Sequence, residues 1–270
     1  RLLDIMEAKG IVGPGDGGGN GIAGEAERRC NMKIWTPEHS ARAQASGGLL
    51  KRTPGRWFFR RRRGDPPEPI PIWNGTLDSC PIVPKPERIT QPSCRALEWQ
   101  DIDQGQTSAC ALGSFCHALT FLMAKLGMAR TPLDWYRAYV TLSGGRGGVE
   151  IGTVLGYAMS TGIPTLDGKS VVKVTEAWDA DSREAIVSGL QKGAVATFGH
   201  DVHAECAVTE VVETDGEENM DVRNTWGKGF GEQGWHFFPL SEVEMGYGAA
   251  IIRALELRPI DVGGLPDTEE

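Results

Sequence analysis

The sequence predicts an α+β domain that begins near residue 96, behind a long irregular extension. Three observations carry this reading. Leu112, Phe115, Leu119, Leu122 and Leu126 recur at spacings of three and four, one apolar stripe along a helix that starts at or beside Cys110, with Ser108 as its N-terminal cap. GVEIGTVLGYAMSTGIP and DSREAIVSGLQKG read as two shorter helices, each ended by a glycine. AVATFG, ECAVTEVVE, MDVRNTW and GWHFFP then come as short runs rich in β-branched and aromatic residues, separated by Gly or Asp-Gly turns, and read as antiparallel strands. Helices first and a sheet afterwards is an α+β order.

The extension, residues 1–95, differs in chemistry from the rest of the chain. It holds 16 Lys and Arg against 10 Asp and Glu, a net of +6, whereas residues 96–270 hold 12 against 26, a net of −14. Clustered cations are what phosphate binding needs, so the acidic part argues against a nucleic-acid surface. RLLDIMEAKGIV suits a short helix ended by Gly10, and GPGDGGGNG, with no Gly-Lys-Ser/Thr ending, reads as a flexible linker and not a phosphate loop. GRWFFRRRRGDPPEPIPIW, residues 55–73, combines four consecutive arginines, the aromatic run Trp57-Phe58-Phe59 and a Pro-rich tail. It is either a weak nucleic-acid or acidic-surface binder, a solvated linker, or a pro-region strapped across the acidic domain. Residues 259–270 read as an acidic flexible tail.

The chain has 270 residues, 40% hydrophobic and 24% charged, enough for a substantial core. No apolar run approaches the ~20 residues of a membrane helix, and Arg1-Leu2-Leu3-Asp4 lacks the layout of a signal peptide, which makes the cytoplasm the default expectation. The six cysteines contain no CxxC pair, so no zinc site is expected. Cys80 and Cys94, in a Pro-rich stretch, are either bridged in an oxidising compartment or, by default, free thiols.

Cys110 is the cysteine placed for chemistry. A thiol in the first turn of a helix faces unpaired backbone N–H groups and the positive end of the helix dipole, so its pKa is expected to fall. Cys116, one and a half turns later, reads as core filling. A thiolate hydrolase also needs an imidazole, a group that orients it, and donors for an oxyanion. Gln104 stands six residues before Cys110, His203 opens a strand-like run, and Asn224 lies 21 residues later across the Asp215-Gly216 turn. A bulge or irregular loop near Gly216 is needed to bring His203 and Asn224 together. His200 competes with His203: three residues apart on a strand, they face opposite ways.

These stretches resemble the papain-like cysteine peptidases. QGQTSAC is similar to the segment that runs from the oxyanion glutamine to the cysteine, HAECAVTEV to the histidine strand, and VRNTWGKGFGEQGWHFF to the Asn-Ser-Trp-Gly segment and the aromatic strand after it. PLSEVEMGYGAAIIR continues as the closing strand region does, so the resemblance covers about residues 97–257. It implies a helical subdomain carrying the cysteine packed on an antiparallel sheet subdomain carrying His and Asn, within a catalytic domain of residues 96–258. It also implies roles: Cys110 as nucleophile, His203 as base and acid, Asn224 as imidazole orienter, Gln104 as oxyanion donor, and Trp226 as a shield over the His–Asn contact and part of the substrate-binding surface. By the resemblance Gly147 and Gly148 match the glycine pair that binds substrate backbone, though as residues they suit a plain loop equally well. The implied substrate is a polypeptide, with no metal, no organic cofactor and no membrane partner. Residues 1–17 also resemble, over a very short span, the winged-helix tip of bacterial DNA translocases.

The sequence departs from that family in named places. The stretch Thr107-Ser108-Ala109-Cys110-Ala111 lacks the first cysteine and the aromatic of C-G-[SA]-C-[WY], so one family disulfide cannot form. The Cys-to-His interval is 93 residues, shorter than the family's ~130, which implies trimmed cleft loops. Thr225 stands where serine is usual. Two other functions fit the same residues: a papain-like fold retired into a binding or structural module, and a cell-wall amide hydrolase of related thiol type.

Overall fold

The helix that begins at Cys110 forms the centre of the structure, a computed structural model describing residues 76–89, 91–200, 203–214 and 216–260. This helix, α1, spans Cys110–Lys125, and every residue from Cys110 to Met123 is buried. The expectation of a one-sided apolar stripe is therefore corrected: an all-round apolar or small-residue surface is what a helix enclosed on every side requires. Leu126 lies outside it, as the C-cap, and is 51% exposed. Ser108 is not the cap either. Ala109 holds that position without a side-chain bond, and its carbonyl takes the first intrahelical bond, from Gly113 N–H at 2.8 Å.

Among the described residues there are three more helices: α2 at Trp135–Ser143, α3 at Ile151–Ser160 and α4 at Arg183–Gln191. The strands are β1 Ile163–Pro164, β2 Ser170–Asp179, β3 Val195–His200, β4 His203–Thr214, β5 Glu217–Arg223, β6 Trp235–Pro239 and β7 Ala249–Pro259. They form one seven-stranded antiparallel sheet in the order β1-β2-β7-β3-β4-β5-β6. Period-two alternation splits its buried side chains between two cores. Val195, Ala204, Cys206, Val208 and Ile252 join α1, α2 and α3 on one face. Ala196, Phe198, Ala207, Met220 and Ile251 join α4 on the other. The β4–β5 ladder shifts register between Ala207 and Thr209 and again between Val211 and Thr214, beside Gly216, the irregularity that the His203–Asn224 spacing calls for.

Residues 76–97 contain little regular structure beyond two 3₁₀ turns, Lys85–Glu87 and Arg95–Leu97, yet they are docked along the domain. Ser79 bridges to Asp179 at the end of β2, and Cys80 is buried in the α4-side core. Val83 N–H donates to Ser188 Oγ of α4 at 2.9 Å, and Ile89 and Gln191 exchange two hydrogen bonds. Arg88 pairs with Glu218 at 3.0 Å, and Arg95 with Asp221 at 2.8 Å and Glu232 at 2.7 Å. Cations from the extension thus meet acids of the sheet. Cys80, Cys94, Cys110, Cys116 and Cys206 are free thiols, so Cys80 and Cys94 are not bridged. The short N-terminal helix, the DNA-translocase resemblance, the Gly-rich linker, the four-arginine stretch and residues 261–270 of the acidic tail lie outside the described residues.

Candidate active site

Three segments meet at the N-terminus of α1. The segment before it pairs with the one after β5: Asp103 bridges to Trp226, and Gln104 N–H donates to the Thr225 carbonyl at 2.8 Å. Gly113 lets α1 approach the same segment, because a Cβ there would stand 2.7 Å from Thr225 Cγ2. The third is the start of β4, where the Ala204 backbone hydrogen-bonds the Cys110 thiol. Ala204 directly follows His203, so the thiol lies one residue along the strand from the imidazole position.

Gln104 is buried and its amide is held at both ends. Its Nε2 donates to the Thr107 carbonyl at 2.8 Å, and its Oε1 accepts from the Thr225 hydroxyl. The threonine that replaces the usual serine therefore has a task here, anchoring Gln104. The Trp226 ring stacks on His203 at 4.5 Å between centroids and 29° between planes, and Phe230 closes edge-on against Trp226 at 5.1 Å. Asn224 Oδ1 accepts from Trp226 N–H at 2.9 Å, and the Asn224 side chain favours the protonated form of His203. Gly147 and Gly148 lie in the loop between α2 and α3. Gly147 is exposed, and its carbonyl accepts from the Tyr139 hydroxyl at 3.0 Å.

The expected placement of His200 is corrected. His200 ends β3 and His203 opens β4, and the two are cross-strand partners, with ring centroids 5.9 Å apart. They do not lie on one strand, because β3 and β4 are antiparallel neighbours in the sheet.

Glu205 is the residue that sequence reasoning missed. It is fully buried and gathers four side chains: Asn224 Nδ2 donates to it at 2.7 Å, and the Nε2 atoms of His236, His200 and His203 lie at 3.0, 3.3 and 3.9 Å. Burial alone would raise its pKa, but the imidazoles of His236 and His200 outweigh burial and hold it well below the usual carboxylate range. The available signal was the glutamate itself, a charge inside the otherwise apolar run Ala204–Val208 that alternation directs into the core.

The expected fall in the Cys110 pKa is also corrected. Cys110 and His203 are both 0% exposed. Burial pushes the thiol up to about 11, against the smaller opposing effect of the Ala204 backbone bond, and the same loss of water pushes His203 down to about 3. Desolvation disfavours both charged forms, and here it outweighs the helix terminus. Cys116, also fully buried, has its pKa raised further, as a core thiol should.

No protein-family profile matches the chain, and no curated protein matches it in sequence. Solved structures do. Procathepsin L 3 from the larval midgut of Tenebrio molitor is matched with a TM-score of 0.51 and 13% identity, over 86% of each chain. The clostridial cysteine protease Cwp84, after propeptide cleavage, is matched with a TM-score of 0.50 and 14% identity, over 61% of this chain and 57% of that one. The cysteine protease Amb a 11, a ragweed pollen allergen in its proform, gives 0.48 and 17% over 58% of this chain. The match spans only 64% of the Amb a 11 chain. The fold is that of the papain-like cysteine proteases, a mixed α+β architecture. No described helix is long and apolar enough to cross a membrane.

Proposed function

We propose that the chain is a cysteine-nucleophile hydrolase that cleaves peptide bonds through an acyl-enzyme. One observation carries this reading. In a fold shared with cysteine proteases, the helix N-terminus bearing Cys110, the strand start bearing His203 and the Asn224–Trp226 segment converge on one point. In the reaction, Sγ of Cys110 attacks the substrate carbonyl carbon while its proton passes to His203. The tetrahedral oxyanion takes the Cys110 backbone N–H and the second Nε2 proton of Gln104, the first being committed to Thr107. His203 then protonates the leaving amine as the C–N bond breaks. Water, losing a proton to His203, attacks the thioester and releases the acid and the thiol. Gly147 and Gly148 are proposed to bind substrate backbone, with Trp226 shielding the His–Asn contact and lining the substrate side.

Burial of both reacting groups favours a second reading. With the thiol raised to about 11 and the imidazole lowered to about 3, the pair is neutral at pH 7, as suits a retired fold used for binding. Treating the full chain with a thiol-directed, peptide-like electrophile and locating adducts by mass spectrometry separates the two. A single adduct on Cys110, lost in Cys110→Ala, is expected. A folded chain that takes no adduct and cleaves no peptide overturns the hydrolase reading in favour of the binding module, and cleavage confined to cell-wall amides overturns the peptide assignment.

A further inference from the structure

We propose that Glu205 is a positioning residue that fixes which end of the Asn224 amide faces His203, extending the Cys110–His203–Asn224 series by a fourth, buried member. The proposal rests on the hydrolase reading for its purpose, but its geometry stands apart from activity.

An asparagine side chain can present either oxygen or nitrogen to a histidine, and the two ends are nearly the same size. A carboxylate only accepts and an Asn nitrogen only donates. The 2.7 Å contact from Asn224 Nδ2 to Glu205 Oε1 therefore permits a single orientation while Glu205 is ionised. With the nitrogen committed to Glu205 Oε1, which also lies 3.9 Å from His203 Nε2, Oδ1 is the end left to accept, and it takes the Trp226 N–H at 2.9 Å. An oxygen that also accepts from His203, whose protonated form the Asn224 side chain favours, selects the tautomer with its proton on Nε2, the ring atom 3.9 Å from Glu205. Nδ1 is then the basic atom, available to take a thiol proton.

Every packed element contributes to this carboxylate. His200 reaches it from β3, His203 from its own strand β4, Asn224 from the end of β5 and His236 from β6. The thiols of Cys110 and Cys206 also feel it, and its charge opposes their ionisation. His200 and His236 hold Glu205 ionised, which keeps the Asn224 orientation locked. His200 thereby gains a role distinct from that of His203: it supports the orienting group and does not act as the base.

The test reads the tautomer directly, by ¹⁵N NMR of the histidine rings in the full 270-residue chain at neutral pH. Unsubstituted protein is expected to show His203 as the Nε2–H form. Glu205→Gln supplies an NH₂ group in place of an acceptor, which lets Asn224 reverse. The Nε2–H to Nδ1–H ratio of His203 is then expected to fall at least about tenfold, the gap between a charge-assisted and a neutral hydrogen bond. Glu205→Asp, which keeps the charge, is expected to retain the Nε2–H form. A merely structural glutamate would leave the ratio unmoved. If folded Glu205→Gln keeps the ratio of the unsubstituted chain, the proposal is overturned. Should that variant not fold, the unsubstituted chain decides: Nδ1–H at His203, or rapid water exchange of both Asn224 Nδ2 protons, overturns it, and Nε2–H with one slowly exchanging proton supports it. A correct tautomer in a chain that cleaves nothing overturns the hydrolase reading alone.

Discussion

Gly234 occupies a position from which any side chain would run into the guanidinium of Arg223. Its φ is +90°, its carbonyl accepts from Arg223 Nη1 at 3.1 Å, and an added Cβ would overlap that guanidinium. Arg223 is fully buried and also bonds Glu98, Asp101 and the Asn224 carbonyl, so the residue before Asn224 is fixed by charge and Gly234 leaves it room.

Arg223→Met is expected to destabilise the protein by about 3 kcal/mol, the low end of the cost of breaking a buried pair, because Asp101 is exposed enough to rehydrate. Gly234→Ala should cost a similar amount, through the overlap and through its positive φ. Urea unfolding of both variants checks this, and near-native stability in either would show that the guanidinium is free to move aside.

Acid should unfold the protein earlier than its carboxylates alone would. His117 and His203 have pKa values lowered by burial, so between pH 6.5 and the folded values the unfolded chain binds more protons than the folded one. Stability contributed by their neutral forms is present above about pH 6.5 and is lost as pH falls, at up to ~1.4 kcal/mol per pH unit for each. Glu205, also lowered, loses its contribution only further down, below the ordinary carboxylate pKa. Thermal melts from about pH 7 to about pH 4 should show a fall that begins near 6.5, smaller in His117→Gln if that variant folds.

Cys110→Ala should abolish peptide hydrolysis and electrophile labelling, whereas Cys116→Ala should keep both and lose about 1 kcal/mol of core packing. Because burial raises the Cys110 pKa to about 11, iodoacetamide should react with the resting chain slowly at pH 7 and faster as pH rises. Rapid alkylation near pH 6 would mean that a thiolate–imidazolium pair already exists.

Trypsin should spare Arg88 and Arg95 in the native chain at low salt. Arg88 is held by Glu218 and Arg95 by Asp221 and Glu232, the Asp221 carboxylate being almost wholly buried. Arg95→Ala is expected to cost about 2 kcal/mol, from charge-assisted bonds lost to a buried acid. Cleavage at Arg88 within minutes, shown by peptide mapping, would refute the docking of this segment. With residues 76–95 docked on the domain, cleavage that releases an extension is expected before residue 76, not between residues 76 and 95.

Much of this fold could be read from the chain. Glycine-ended helical runs became α3 and α4, and β-branched runs became β3 to β6, because in those stretches local propensity and burial agree. Helix α2 escaped notice, although Asp134 caps it and Gly144 ends it in the left-handed region, since its buried residues are only Ala138 and Tyr139 and the apolar stripe is thin. Strand β2 escaped because half-exposed positions put Lys and Glu among its valines. At the site, residue types and order pointed to Cys110, His203, Asn224 and Gln104. The direction of their pKa shifts could not be read there, because it depends on how much water tertiary packing removes. The role of Glu205 could not be read for a related reason: beyond its charge in an apolar run, its four partners come from four different strands or strand ends.

The docked segment bears on how the chain comes off the ribosome. Arg95 is made 126 residues before Asp221 and 137 before Glu232. At about 5–20 residues per second, roughly ten seconds pass before its partners exist. In that interval the basic segment belongs to a nascent chain whose acidic complement is still unmade, and it can settle only once the sheet that receives it has nearly all emerged. Cys80 enters its core late for the same reason, so the first part of the domain to be translated is among the last to reach its place.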